Sequence, residues 1–245
     1  MKYVGVDGCR GGWFAVMMGD DGSWKTGLFA GLDELITVSP GASHILVDIP
    51  IGLPASRPRQ CDREARRILG PGRGSSVFPA PCRRAVHAHD YGEACRLNRE
   101  HLGTMISLQT WYICGKIAQA DDLLRDRPDL VGIIRESHPE LCLWALAGEW
   151  PMRFSKKSRQ GRLERMTVLE TVFPDAVQVY EHALQSLRRS DAARDDIIDA
   201  LALAVSAGIC RGDVEAVPQT PEHDDEGLPM EIVLPKHLNT HCPVR

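Results

Sequence analysis

Asp7 closes the apolar run YVGVD just before Gly8, and Asp48 closes ILVD two residues before Pro50. Central strands rarely hold ionised groups without a partner, so two acids at the ends of apolar strands call for a cation. Taken singly, each aspartate can equally well start a turn. A third element is Asp195-Asp196-Ile197-Ile198-Asp199-Ala200-Leu201-Ala202. Asp196 and Asp199 are three apart, so on a helix they project from one face. Acids in a first helical turn also favour the dipole, and Asp191 or Asp195 can serve as the cap. Asp199 lies further in, beside an apolar run, where capping does not explain it. Clustered carboxylates suit divalent metal: two ions about 3.5 to 4 Å apart activate water and stabilise the leaving oxygen of a phosphodiester. Magnesium fits such an oxygen-rich site, and manganese can substitute.

Two basic stretches offer phosphate contacts in a chain whose formal net charge is -4. One runs from Arg57 to Arg84. The other, RFSKKSRQGRLER from Arg153 to Arg165, sets six cations against Glu164 alone. Lys156 and Lys157, beside Ser155, are the expected substrate contacts, against the ordinary fate of a charge run as a solvated face. Gly72-Arg73-Gly74-Ser75-Ser76 combines open backbone N–H groups, hydroxyls and a guanidinium, so Arg73, Ser75 and Ser76 can cradle an anion. The loop lacks the G-x-x-x-x-G-K-[ST] pattern, and a plain turn is the competing reading.

The elements that must position these groups follow from periodicity. Tyr3 to Val6, Trp13 to Met18 and Lys25 to Ala30 read as an antiparallel meander. Leu32 to Val38 reads as a short helix begun by Asp33 and Glu34, and His44 to Ile49 as a buried strand. Between about 50 and 130 the composition turns to Pro, Gly and Arg, then to helical spacing through Ile106, Trp111, Ile113 and Ile117, which reads as a helical insertion. Val131 to Arg135 is a fifth strand, followed by a helix with Pro139 in its first turn. Helices continue to about Arg211. Val214 to Glu226 reads as a surface loop in a C-terminal tail of about 212–245, with Met230 to Leu234 returning as an edge strand. The expectation is a single α/β domain over 1–245, a mixed five-stranded sheet flanked by helices.

The blocks VGVDGCRGGW, LVDIPIGLP, GRGSSVFPAP, ESHPE and DDIIDALA, in this order, resemble the family catalogued as domain of unknown function 429. The resemblance runs from Val4 to about Leu234. It implies a ribonuclease H-like core and nuclease activity. The wider superfamily includes Holliday-junction resolvases of the RuvC type, with acids on the first and fourth strands and a D-x-x-D pair on the last helix holding two metals. By that similarity Asp7, Asp48, Asp196 and Asp199 are the metal ligands. The fifth strand is expected beside the first, so Glu136 or Glu140, flanking His138, would complete the cluster. Glu136 is the stronger candidate. Glu140 also suits a helix N-terminus, and His138 is either a proton shuttle or a hydrogen-bonded structural residue.

Composition narrows the class. The negative charge argues against indiscriminate coating of nucleic acid. Eight cysteines without a C-x-x-C pair argue against a zinc ribbon and suit a reducing compartment. No signal-peptide pattern opens the sequence, and Ala200 to Cys210 is about half the roughly 20 residues a membrane span requires. The expected setting is cytoplasmic, without membrane contact, with a homodimer as one open oligomeric outcome. The function expected is a metal-dependent phosphodiesterase acting on nucleic acid or nucleotides. The alternatives are an ATP-dependent phosphotransferase, suggested by a strand, an Asp and a Gly-rich turn at Asp7 to Gly12, and a non-catalytic scaffold.

Overall fold

Side chains along a strand alternate between faces, and in β1 (Lys2–Cys9) that alternation separates apolar core from candidate chemistry. Val4 and Val6 pack on one face, while Tyr3, Gly5, Asp7 and Cys9 point to the other. The computed structural model describes residues 2–236; Met1, Cys242 and the rest of 237–245 lie outside the described residues.

β2 (Gly12–Gly19) and β3 (Trp24–Phe29) complete the expected antiparallel meander, followed by α1 (Leu32–Val38). β4 (Ala42–Val47) then runs parallel to β1. Between β4 and the next strand come α2 (Gln60–Arg73), α3 (Arg83–Val86), α4 (Tyr91–Leu102) and α5 (Leu108–Asp126). The strand read at 131–135 begins later, as β5 (Ile134–Glu136), because Pro128–Leu130 forms a tight helical turn first. α6 (Pro139–Leu146), α7 (Arg159–Val172), α8 (Ala176–Ser186) and α9 (Arg194–Ile209) follow.

The strand order β3-β2-β1-β4-β5 makes a mixed five-stranded sheet flanked by helices. β5 pairs with β4, not with β1 as the sequence reading had it. One face, with Val4, Val6, Trp13, Ile45 and Val47, is covered by Leu35 of α1 and by Ile117 and Leu124 of α5. On the other face Phe14 and Val16 meet Leu169, Val179 and Leu201 of α7, α8 and α9.

The Pro- and acid-rich tail departs from its reading as a loop. Val214–His223 is β6, paired antiparallel with β7 (Pro229–Pro235) in a two-stranded sheet. With only one partner, β6 tolerates Pro218 and Pro221, which would break the ladder of a central strand. The run from Met230 to Leu234 is therefore a strand, but it joins β6 instead of the edge of the large sheet. An isolated bridge from Ser137 to Val233 ties it to the end of β5.

The contact of α9 with β1 depends on Gly5. A Cβ there would lie 2.2 Å from both the Ala200 carbonyl oxygen and the Ala204 amide nitrogen. Small residues on both sides let helix backbone rest on strand backbone, which lowers Asp199 toward Asp7. Gly5→Ala is expected to cost about 1–3 kcal/mol or more by overpacking against rigid backbone. An unchanged melting temperature for that variant would contradict this packing.

Candidate functional site

The parallel register pairs Val6 with Val47, so Asp7 and Asp48 follow side by side at the ends of β1 and β4. The Asp48 amide extends the ladder by donating to the Val6 carbonyl at 3.0 Å. Asp7 shares a face with Tyr3 and Gly5, and Asp48 with Leu46; both faces look toward α9. From α9, Asp199 reaches down between them. Carboxylate oxygens of Asp7, Asp48 and Asp199 lie within 4.8 Å of one another. Opposed oxygens on one magnesium stand about 4.2 Å apart, twice a metal–oxygen distance of about 2.1 Å, so modest closure would let the three share an ion.

Burial makes this grouping costly. Burial, then the charges of Asp48 and Asp199, hold the Asp7 carboxyl well above the usual carboxylate range. Asp199 is pushed up to about 7, first by burial and further by Asp48, against the opposing pull of Lys156. The Lys156 ammonium donates to Asp199 Oδ2. Burial alone would make that ammonium give up its proton more readily, but Asp199, Asp7 and Asp48 outweigh it and hold the proton on. Two buried oxygens, Asp199 Oδ1 and Glu140 Oε2, have no hydrogen-bond donor among the described residues. Unmet buried acceptors are expensive, and an all-oxygen set with spare lone pairs fits a hard divalent cation.

The sequence candidates largely meet in one cavity of about 450 Å³, whose walls include Asp7, Asp48 and Asp196 together with Arg73, Ser75, Ser76, Lys156 and Lys157. Their engagement differs from the reading in several places. Lys156 is an ion-pair partner of Asp199 inside the cluster, because unshielded carboxylates attract the nearest cation. Arg73 Nε donates to the Met152 carbonyl at 2.6 Å, and Ser76 Oγ to the Arg73 carbonyl at 2.8 Å. Asp196 Oδ2 accepts from the Ala193 amide at 2.8 Å, so it closes the first turn of α9 at the cavity edge, outside the tight trio. Burial raises its carboxyl too.

Glu136 does not join the cluster. It shares the β5 face of Ile134, which packs with Ile45 and Val47 on the side away from α9. There its carboxylate accepts from Arg59 at 2.6 and 2.8 Å and from the Ile51 amide at 2.7 Å. Burial pushes it up to about 7 despite Arg59. Glu140 is the glutamate that reaches the cavity, as does His138, whose Nε2 lies 3.3 Å from the Ser76 carbonyl oxygen.

A buried pair holds the lysine loop in place. Arg165 Nε donates to Glu140 Oε1 at 2.9 Å, while its Nη1 donates to the Phe154 and Gly161 carbonyls at 3.0 and 2.7 Å. A Cβ on Gly161 would lie 2.0 Å from the Ser155 carbonyl oxygen, so residues 154–155 rest directly on the first turn of α7. Lys116 is a cavity cation that sequence reasoning missed. It donates to the Gly12 carbonyl at 2.6 Å and sits 4.7 Å from the Trp13 ring centroid. The available signal was a lone lysine three residues after Ile113, in the stripe of α5 that faces the sheet.

Raised carboxyls have a stability consequence. From about pH 4 upward, native Asp7 and Asp199 still bind protons that the unfolded chain has released, Asp199 up to about pH 7. Their contribution to stability is therefore present below about pH 4 and lost as pH rises, for Asp199 through about 7. Asp7→Asn removes one repelling charge. Without added metal, its melting temperature is expected to climb relative to wild type between pH 4 and pH 7.5; a pH-independent difference would contradict this account.

No curated protein and no solved structure matches the chain. The sequence model of the family described as "Protein of unknown function (DUF429)" matches residues 5–223. With its acids gathered at one cavity and that match spanning most of its length, the chain belongs to the DUF429 family.

Proposed function

We propose that this protein is a metal-dependent phosphodiesterase acting on nucleic acid or nucleotides, built on a ribonuclease H-like core. The observation that carries this reading is the convergence of Asp7, Asp48 and Asp199 within 4.8 Å, with Asp7 and Asp48 walling a cavity that also carries Arg73, Lys116, Lys156, Lys157 and several hydroxyls. The core assignment rests on a three-strand meander followed by two parallel strands, with acids ending β1 and β4 and a D-x-x-D pair opening α9. In this reading the helices between β4 and β5 are an insertion.

Asp7, Asp48 and Asp199 would hold magnesium or manganese, with Asp196 and Glu140 close enough to bind its outer waters. A divalent ion there supplies an activated water and neutralises charge on the phosphoryl group. Lys157, Ser75 and the free edge of Arg73 would orient the phosphate by charge-assisted hydrogen bonds. Lys156 would balance the acids between turnovers.

The setting proposed is cytoplasmic. All seven described cysteines are free, and no helix among the described residues is long and apolar enough to cross a membrane.

Calorimetric titration of magnesium and manganese, paired with cleavage of single-stranded, duplex and branched substrates, tests the reading. Asp7→Asn is expected to weaken metal binding by more than about 100-fold, beyond the range typical of outer-shell partners, and to abolish cleavage while remaining folded. Wild-type protein that binds neither ion and cuts nothing would sink the proposal.

A further inference from the structure

A second cavity, of about 430 Å³, adjoins the acidic one and takes no part in the function proposed above. Its floor is apolar, with Leu184, Leu187 and Ile197, and its rim carries Arg162, Arg189 and Arg194. The side chains of Arg189 and Arg194 have no hydrogen bond or ion pair with any described residue, and the Arg162 guanidinium donates only to the Lys157 carbonyl, at 2.6 Å. Three guanidinia thus face one carboxylate, Asp195, in a chain whose overall charge is negative. Arginine offers the planar fork that matches phosphate oxygens.

The two cavities share a wall. Asp195 walls both of them, and Arg162 of the second is bonded to the backbone of Lys157 of the first. Helix geometry explains the arrangement: Asp196 and Arg194 are two residues apart, so they point to opposite flanks of the first turn of α9. A chain leaving the acids over that turn meets the positive end of the helix dipole and then the arginines. A polynucleotide strand has a phosphate at every step and so offers one to each cavity.

We propose that the cavity of Arg162, Arg189 and Arg194 seats a phosphodiester group flanking the one held at the carboxylates, so that the substrate is a polynucleotide strand. The inference rests on the phosphodiesterase reading and narrows its substrate class.

Fluorescence anisotropy with labelled DNA and RNA strands of 2 and 12 nucleotides tests it, using the full chain with calcium in place of magnesium and a range of salt. Arg189 and Arg194 are exposed, so the Arg189→Ala/Arg194→Ala double variant should fold; its melting curve checks this. Affinity for the 12-mer is expected to fall roughly tenfold, with no change for the dinucleotide. The slope of log K against log salt should flatten by about 0.7, the loss of one single-strand phosphate contact. If the double variant keeps wild-type affinity and slope for the 12-mer while Lys157→Ala weakens it, the flanking seat is refuted and the phosphodiesterase reading stands. Equal weakening for both lengths, or displacement of the 12-mer by sub-millimolar inorganic phosphate, would make the cavity a simple anion site and also refute it. Wild-type protein that binds neither strand would overturn both readings together.

Discussion

Three carboxylates packed at the tips of two buried strands repel one another, and much of this fold is arranged to hold them together. Two features impose the contact. The parallel pairing of β1 and β4 sets Asp7 beside Asp48, and the missing side chain at Gly5 lets α9 descend until Asp199 joins them. Burial then removes the water that would have screened the charges, which is why Asp7 and Asp199 hold their protons so strongly. A folded scaffold gains nothing from such a grouping. A binding site does, because a divalent cation recovers the energy that repulsion and desolvation cost.

The surrounding ion pairs serve that arrangement without entering it. Arg59 lies between Asp62 and Glu136, wholly buried, and also donates to the Ile51 carbonyl at 2.9 Å, so it locks the chain that leaves β4 onto α2 and β5. Arg165 does the same for the loop that carries Lys156, gripping Glu140 on one side and the Phe154 and Gly161 carbonyls on the other. Such pairs contribute little net stability over a well-packed apolar replacement, yet removing one partner is costly because a bare charge stays behind. Their value here is geometric: they fix the direction from which cations approach the acids.

How much of this could be read from sequence varies with the physics involved. The meander, α1 and the D-x-x-D helix were legible because local periodicity determines them, although α9 is capped by Asp196 on the Ala193 amide and not by Asp191 or Asp195. Asp7 and Asp48 were legible because acids ending apolar runs are rare enough to stand out, and Asp199 because it lies beyond the reach of capping, beside an apolar run. Glu136 was misplaced by parity: one residue along a strand reverses the face, and with β4 interposed β5 could not neighbour β1. β6 was hidden by its prolines, which are tolerated only because its partner is a single strand. Lys156 was assigned to substrate since nothing local reveals that a loop 43 residues before Asp199 folds back onto it. Lys116 was masked by the apolar helix around it.

The most direct test of the central claim is a crystal structure grown with manganese and recorded at a wavelength that reveals its anomalous scattering. The account predicts a peak bonded to oxygens of Asp7, Asp48 and Asp199, with the Lys156 ammonium displaced from Asp199. A map in which Lys156 keeps its ion pair and manganese is absent from these carboxylates would contradict it.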